Sequence, residues 1–145
     1  SCSMNTMYTA VATSVGGRSG SVKSSDGVLN FEVRPPKEMG GPCGNYTNPE
    51  QLFAAGYSAC FGSAVGRVAT EQKIRVRPVV TARVSIGEKP GGGFMLAVEM
   101  DVDLPGMEQQ EAEELVKEAH QVCPYSNATR NNVEVTLKVT TSEKK

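Results

Sequence analysis

Asn48-Pro49-Glu50-Gln51-Leu52-Phe53-Ala54-Ala55-Gly56-Tyr57-Ser58-Ala59-Cys60-Phe61 is the stretch on which the fold turns. Asn48 is a favourable N-cap, Pro49 suits the first helical position, and Gln51 can reach back as in a capping box. The pattern predicts a helix running to about Glu71. At roughly 100° per residue, Phe53, Tyr57, Cys60, Phe61 and Ala64 fall on one side. Ala55, Ala59, Gly62, Ser63 and Gly66 make a second stripe of small residues, where another backbone can approach closely. A helix apolar on nearly every side must be covered on nearly every side. One thin domain has little material for that, so a homodimer with this helix near its interface is expected.

Upstream, Tyr8 to Val15 reads as a strand, Gly16-Gly17-Arg18-Ser19-Gly20 as a turn and Ser21 to Ser24 as a short returning strand. Ser25-Asp26-Gly27 is a second turn signal, because Asp-Gly suits tight hairpins. Val28 to Arg34 alternates Val28, Asn30 and Glu32 with Leu29, Phe31 and Val33, the pattern of a half-buried strand that Pro35-Pro36 ends. Downstream, Arg75 to Ile86 and Phe94 to Leu104 read as long strands joined by Lys89-Pro90-Gly91-Gly92-Gly93. Glu108 to about Gln121 predicts a second helix with Ala112, Leu115, Val116 and Ala119 on its apolar face. Val133 to Val139 alternates as a last strand. The class is α+β: antiparallel strands wrapped around one central buried helix, with an amphipathic helix beside them. Residues 1–145 read as a single domain, with 1–7 and 141–145 as tails.

A chain of 145 residues can bury a modest core without disulfide staples. Its formal net charge of -1, with acidic and basic residues interspersed, gives no electrostatic case for nucleic acid. Leu52 to Ala69 is the most apolar stretch, but three glycines, two serines and Arg67 make it a buried helix rather than a membrane span. Ser1 to Tyr8 lacks a basic run followed by an apolar core, so it does not read as a secretory signal. A reducing, cytoplasmic setting is the expectation.

Four cysteines stand at Cys2, Cys43, Cys60 and Cys123, with no C-x-x-C pair. A structural zinc site has little sequence support, and His120 with Cys123 would supply only half of one; no metal is expected. Cys60 lies among large apolar side chains. It is either a small core hydrophobe or a reactive thiol. In the second case an Arg or Lys must offset the burial that would raise its pKa. Cys123 precedes Pro124 and therefore stands at a helix exit. It is either a buried cysteine under the Pro124-Tyr125 turn or a thiol able to meet a partner.

Taken together, Asn48 to Phe61, the run Val122-Cys123-Pro124-Tyr125-Ser126-Asn127-Ala128-Thr129-Arg130, and the Gly16 to Gly20 loop followed by Ser25-Asp26-Gly27 resemble the signatures of the organic hydroperoxide resistance (Ohr) proteins of the OsmC/Ohr superfamily. The resemblance covers Tyr8 to Val139. It implies an intertwined homodimer, with Cys60 as the peroxidatic thiol and Cys123 as the resolving one. It implies that Arg18 and Glu50 form a pair beside the reactive cysteine. It also implies recycling by dihydrolipoyl groups on carrier proteins, with no cofactor bound. Cys2 and Cys43 are outside the pattern.

Physical chemistry adds two expectations. Glu50 and Cys60 are ten residues apart on one helix, about 15 Å along its axis, so the Glu50 beside a given Cys60 comes from the other subunit and Arg18 travels with it. Phe53, Tyr57 and Phe61 would form an apolar rim favouring alkyl and fatty acyl hydroperoxides over hydrogen peroxide. The rivals are a thiol-disulfide oxidoreductase acting on proteins and a non-catalytic binding member of the same superfamily.

Overall fold

The computed structural model describes residues 4–143, so Cys2 lies outside the described residues. The chain divides into two compact units, one ending at Pro49 and the other beginning at Glu50. No linker marks that boundary; it falls at the first turn of a helix.

The first unit is a three-stranded antiparallel meander of β1 (Ala12–Val15), β2 (Gly20–Ser24) and β3 (Asn30–Val33), in that order. Between β1 and β2 the Gly-rich segment makes a 3-10 turn at Gly17–Ser19, entered through Gly16 at φ 80°. Between β2 and β3, Asp26 closes the turn by accepting from the Ser24 hydroxyl at 2.6 Å and the Val28 N–H at 3.0 Å. Arg34 donates to the carbonyls of Gly20 (2.9 Å) and Val33 (2.6 Å) and lies over the Tyr46 ring. Of the alternating residues Leu29, Phe31 and Val33, only Val33 is buried. β1 is shorter than the Tyr8 to Val15 run suggests.

The second unit begins with α1, which runs unbroken over Pro49–Glu71. The hairpin β4 (Val79–Glu88) and β5 (Phe94–Asp103) follows, antiparallel and in register from Val79↔Asp103 to Glu88↔Phe94. β4 starts later than expected: Arg77 precedes Pro78, which supplies no N–H for a ladder. α2 (Gln109–Val122) is capped by Glu108, whose carboxylate accepts the Glu111 N–H at 2.8 Å. A six-residue helix not foreseen from sequence, α3 (Pro124–Thr129), comes next, then β6 (Glu134–Thr140).

β6 pairs with β5 in parallel, so this sheet, ordered β4-β5-β6, is not wholly antiparallel as the sequence reading had it. Alternation shows which side chains face inward but not strand direction; here α2 and α3 form the crossover that a parallel pair requires. One face of the sheet packs on α1 and α2. Tyr57, Phe61, Val65 and Val68 of α1 meet Val98, Met100 and Val102 of β5 and Ala112, Leu115, Val116 and Ala119 of α2. Among the described residues, no buried side-chain polar atom lacks a hydrogen-bond partner.

Candidate active site

Cys60 sits in the middle of α1, half-buried, and Cys123 is fully buried at the junction of α2 and α3. Cys123 has extended backbone (φ -66°, ψ 123°), as the following proline demands, and serves as C-cap of α2 and N-cap of α3. This junction turns the chain back toward α1 and brings Cys123 close enough to act electrostatically on the Cys60 thiol. Both are free thiols, as is the exposed Cys43.

Burial, followed by the neighbouring Cys123 sulfur, pushes the Cys60 thiol above its ordinary range; the Tyr125 N–H, hydrogen-bonded to it, partly opposes them. None of these influences is a cation. The thiolate is the nucleophilic form, so these surroundings work against the reactive state of Cys60.

The aromatic residues expected to rim the thiol occupy different depths. Tyr57 and Phe61 are fully buried in the core, and only Phe53 is partly exposed. The helical spacing identified the right face but not its depth, because the sheet and α2 close over it. Tyr125, which the sequence reading left unassigned, completes the cluster. Its ring lies 5.5 Å from Tyr57 and 6.1 Å, edge-on, from Phe53. The missed signal was Gly56: a Cβ there would stand 2.5 Å from the Tyr125 hydroxyl, so the glycine admits that ring against α1.

Behind the thiols runs a polar chain. Ser126 Oγ lies 2.7 Å from His120 Nδ1 and 2.8 Å from the Tyr57 hydroxyl, which is 3.3 Å from Thr129 Oγ1. His120 also stacks obliquely near Phe61, and its backbone carbonyl accepts from Arg130. Burial, and then the Arg130 charge, hold its imidazole below the usual 6.5. Among the described residues, no group of three or more His, Cys, Asp or Glu is gathered so as to hold a metal ion.

Arg18 and Glu50 belong to different units: Arg18 lies partly buried in the 3-10 turn between β1 and β2, and Glu50 in the first turn of α1. Both take part in polar interactions. The unbroken α1 keeps Glu50 about 15 Å from Cys60 along the axis. Ala55, Ala59 and Ser63 of the small-residue stripe are exposed.

The model of the OsmC-like protein family matches residues 41–138, which include both cysteines and the whole of α1. An organic hydroperoxide resistance protein of Xanthomonas axonopodis pv. citri is 51% identical over 133 residues, 90% of this chain and 93% of the relative. The chain belongs to the OsmC-like family, among the organic hydroperoxide resistance proteins. Solved structures agree with this placement. The organic hydroperoxide resistance protein of Elizabethkingia anophelis, with thiocyanate bound, superposes with a TM-score of 0.91 at 55% identity, covering 95% of this chain and 99% of that one. OhrB of Bacillus subtilis superposes at 0.85 with 44% identity, covering 91% and 98%. No helix among the described residues is long and apolar enough to cross a membrane.

Proposed function

We propose that this chain reduces organic hydroperoxides to alcohols, with Cys60 attacking the peroxide and Cys123 resolving the oxidised product. The observation that carries this reading is a pair of free thiols near enough to influence each other electrostatically, Cys60 half-buried and Cys123 fully buried. The hydroperoxide resistance named for the relatives supports the same chemistry.

The Cys60 thiolate attacks the distal peroxide oxygen, the O–O bond breaks, and the alkoxide takes up a proton and leaves as the alcohol. Cys60 is then a sulfenic acid, with which Cys123 condenses to a disulfide and water. A dithiol, proposed to be a dihydrolipoyl group on a carrier protein, reopens that bond by exchange.

A thiol raised by burial needs a cation, and Arg18 is the proposed one, oriented by a charge-assisted pair with Glu50. Because α1 is continuous, the Arg18–Glu50 pair serving one Cys60 is proposed to come from a second copy of the chain. The exposed small-residue stripe of α1 supports a homodimer. Phe53, with Tyr57 and Phe61 behind it, gives the pocket an apolar wall. An alkyl or acyl substrate gains about 25 cal/mol per Å² buried there, and hydrogen peroxide gains nothing.

The test is hydroperoxide turnover with dihydrolipoamide as reductant. Cys60→Ser should abolish it. Cys123→Ser should consume one equivalent of cumene hydroperoxide and stall as a sulfenic acid. Arg18→Ala should lower kcat/KM by about 100- to 1000-fold, the range for losing one preorganised electrostatic donor. Normal turnover by Cys123→Ser would end the resolving role, and equal kcat/KM for hydrogen peroxide and cumene hydroperoxide would end the apolar pocket.

A further inference from the structure

The polar chain behind the thiols has no part in the steps above, yet it is largely internal: Tyr57 and Ser126 are completely buried, Thr129 nearly so, and His120 partly. Its contacts admit one ordering of protons that gives each contact a donor of its own. The Thr129 hydroxyl donates to the Ser126 carbonyl at 3.2 Å. The Tyr57 hydroxyl must then donate to Thr129 Oγ1, so it accepts from Ser126 Oγ, which in turn accepts from His120 Nδ1–H. Every buried hydroxyl is satisfied in this order, and removing one leaves its neighbours unpaired in the core.

The placement of the chain matters as much as its completeness. Tyr57 and Cys60 are three residues apart on α1. His120 and Cys123 are three apart at the end of α2, and Ser126 is three beyond Cys123 on α3. The Ser126 hydroxyl therefore ties together the same elements that the sulfurs join, one turn away from them. Tyr125, between Cys123 and Ser126 in the chain, packs its ring against Tyr57 and Phe53 of α1.

We propose that Ser126 is a positioning residue for the Cys60–Cys123 couple: its hydroxyl pins α3 to α1 and α2 and so sets how readily the two sulfurs join. The inference rests on the pairing of Cys60 with Cys123 proposed above. In the step it governs, the Cys123 sulfur attacks the sulfenic sulfur of Cys60, an S–S bond forms, the S–O bond breaks, and the hydroxide leaves with the Cys123 proton as water. Pinning raises the effective concentration of one thiol at the other. Without it the disulfide closes more slowly and is less favoured over the dithiol.

The experiment equilibrates the full-length protein in buffers of reduced and oxidised dithiothreitol and counts disulfide by thiol alkylation. Ser126→Ala should shift the equilibrium about tenfold toward the dithiol, a rise of about 30 mV. Closure of the sulfenic acid after one equivalent of cumene hydroperoxide should slow by a similar factor. If Ser126→Ala does not fold, Tyr57→Phe keeps the ring and deletes the hydroxyl, and should move the potential in the same direction. An equilibrium within twofold of the parent's for the folded variant would overturn the proposal, as would a parent that forms no Cys60–Cys123 disulfide in any buffer. A parent that forms the disulfide but consumes no hydroperoxide would defeat the peroxidase reading alone, and the dithiothreitol equilibrium would still decide the role of Ser126.

Discussion

A Cβ placed on Gly20 would stand 1.8 Å from the Val15 carbonyl oxygen, whereas one placed on Gly56 would meet the tip of the Tyr125 side chain at 2.5 Å. The contrast extends to the units in which the two glycines lie. The 1–49 unit is organised by backbone: glycine turns, a three-strand ladder, and Arg34 reaching two carbonyls. It leaves Val15 69% and Phe31 45% exposed. The 50–145 unit is organised by side chains, with Tyr57, Phe61, Met100, Leu104 and Leu115 fully enclosed. The second unit can therefore hold a chemical site at fixed depth by its own packing. The first has apolar surface still to be covered, and a second copy of the chain is the cover proposed here.

The largest effect that could break this contrast is truncation of an aromatic residue in each unit. Phe61→Ala should cost about 3–5 kcal/mol in urea unfolding, as for a buried aromatic. Phe31→Ala should cost under about 1 kcal/mol in dilute solution, where its ring is half in water. A cost for Phe31→Ala that grows with protein concentration would show a second copy covering it. Equal costs at all concentrations would mean that the first unit has a core of its own.

Next come the two glycines. Gly56→Ala would ordinarily favour a helix, but here the Tyr125 ring must leave its place between Phe53 and Tyr57. A loss of about 1–3 kcal/mol and a changed near-ultraviolet tyrosine signal are expected. Gly20→Ala should instead speed amide exchange across β1 and β2 by about 10- to 100-fold while leaving α1 and β5 protected. Matching exchange patterns for the two variants would dissolve the distinction between a backbone-built and a side-chain-built unit.

The smallest expected effect concerns His120. Its imidazole is held below 6.5 by burial and by Arg130, so below that pH the unfolded chain binds more protons than the folded one. The stability contributed by the neutral ring is present above pH 6.5 and is lost as pH falls through the lower folded value. The urea midpoint of the parent should thus fall more steeply between pH 8 and pH 5 than that of His120→Asn. Parallel midpoints would place no such burden on the ring.

Much of the second unit was legible in sequence because its signals are local. Pro49 fixes where α1 starts, and the spacing of Ala112, Leu115, Val116 and Ala119 fixes the buried face of α2. What stayed hidden depended on distant partners. Alternation in 133–139 could not tell that β6 runs parallel to β5. Pro124 announced the end of α2 but not that six residues would coil again as α3. Tyr57 and Phe61 were placed on the correct side of α1, yet their enclosure depends on β5 and α2, far along the chain. In the first unit, alternation picked out Leu29 and Phe31 as inward-facing, but this chain supplies nothing that buries them as it does Val33.

The parallel pairing of β5 and β6 also has a consequence for biosynthesis. A parallel neighbour cannot dock until the whole intervening crossover has been made, and Cys123 lies within that crossover. At about 5–20 residues per second, a ribosome needs roughly 3–12 s to travel from codon 60 to codon 123. Through that interval the nascent chain carries Cys60 without Cys123. The newborn chain therefore passes through a window in which Cys60 is present and its neighbouring sulfur is not, and synthesis of the crossover closes it.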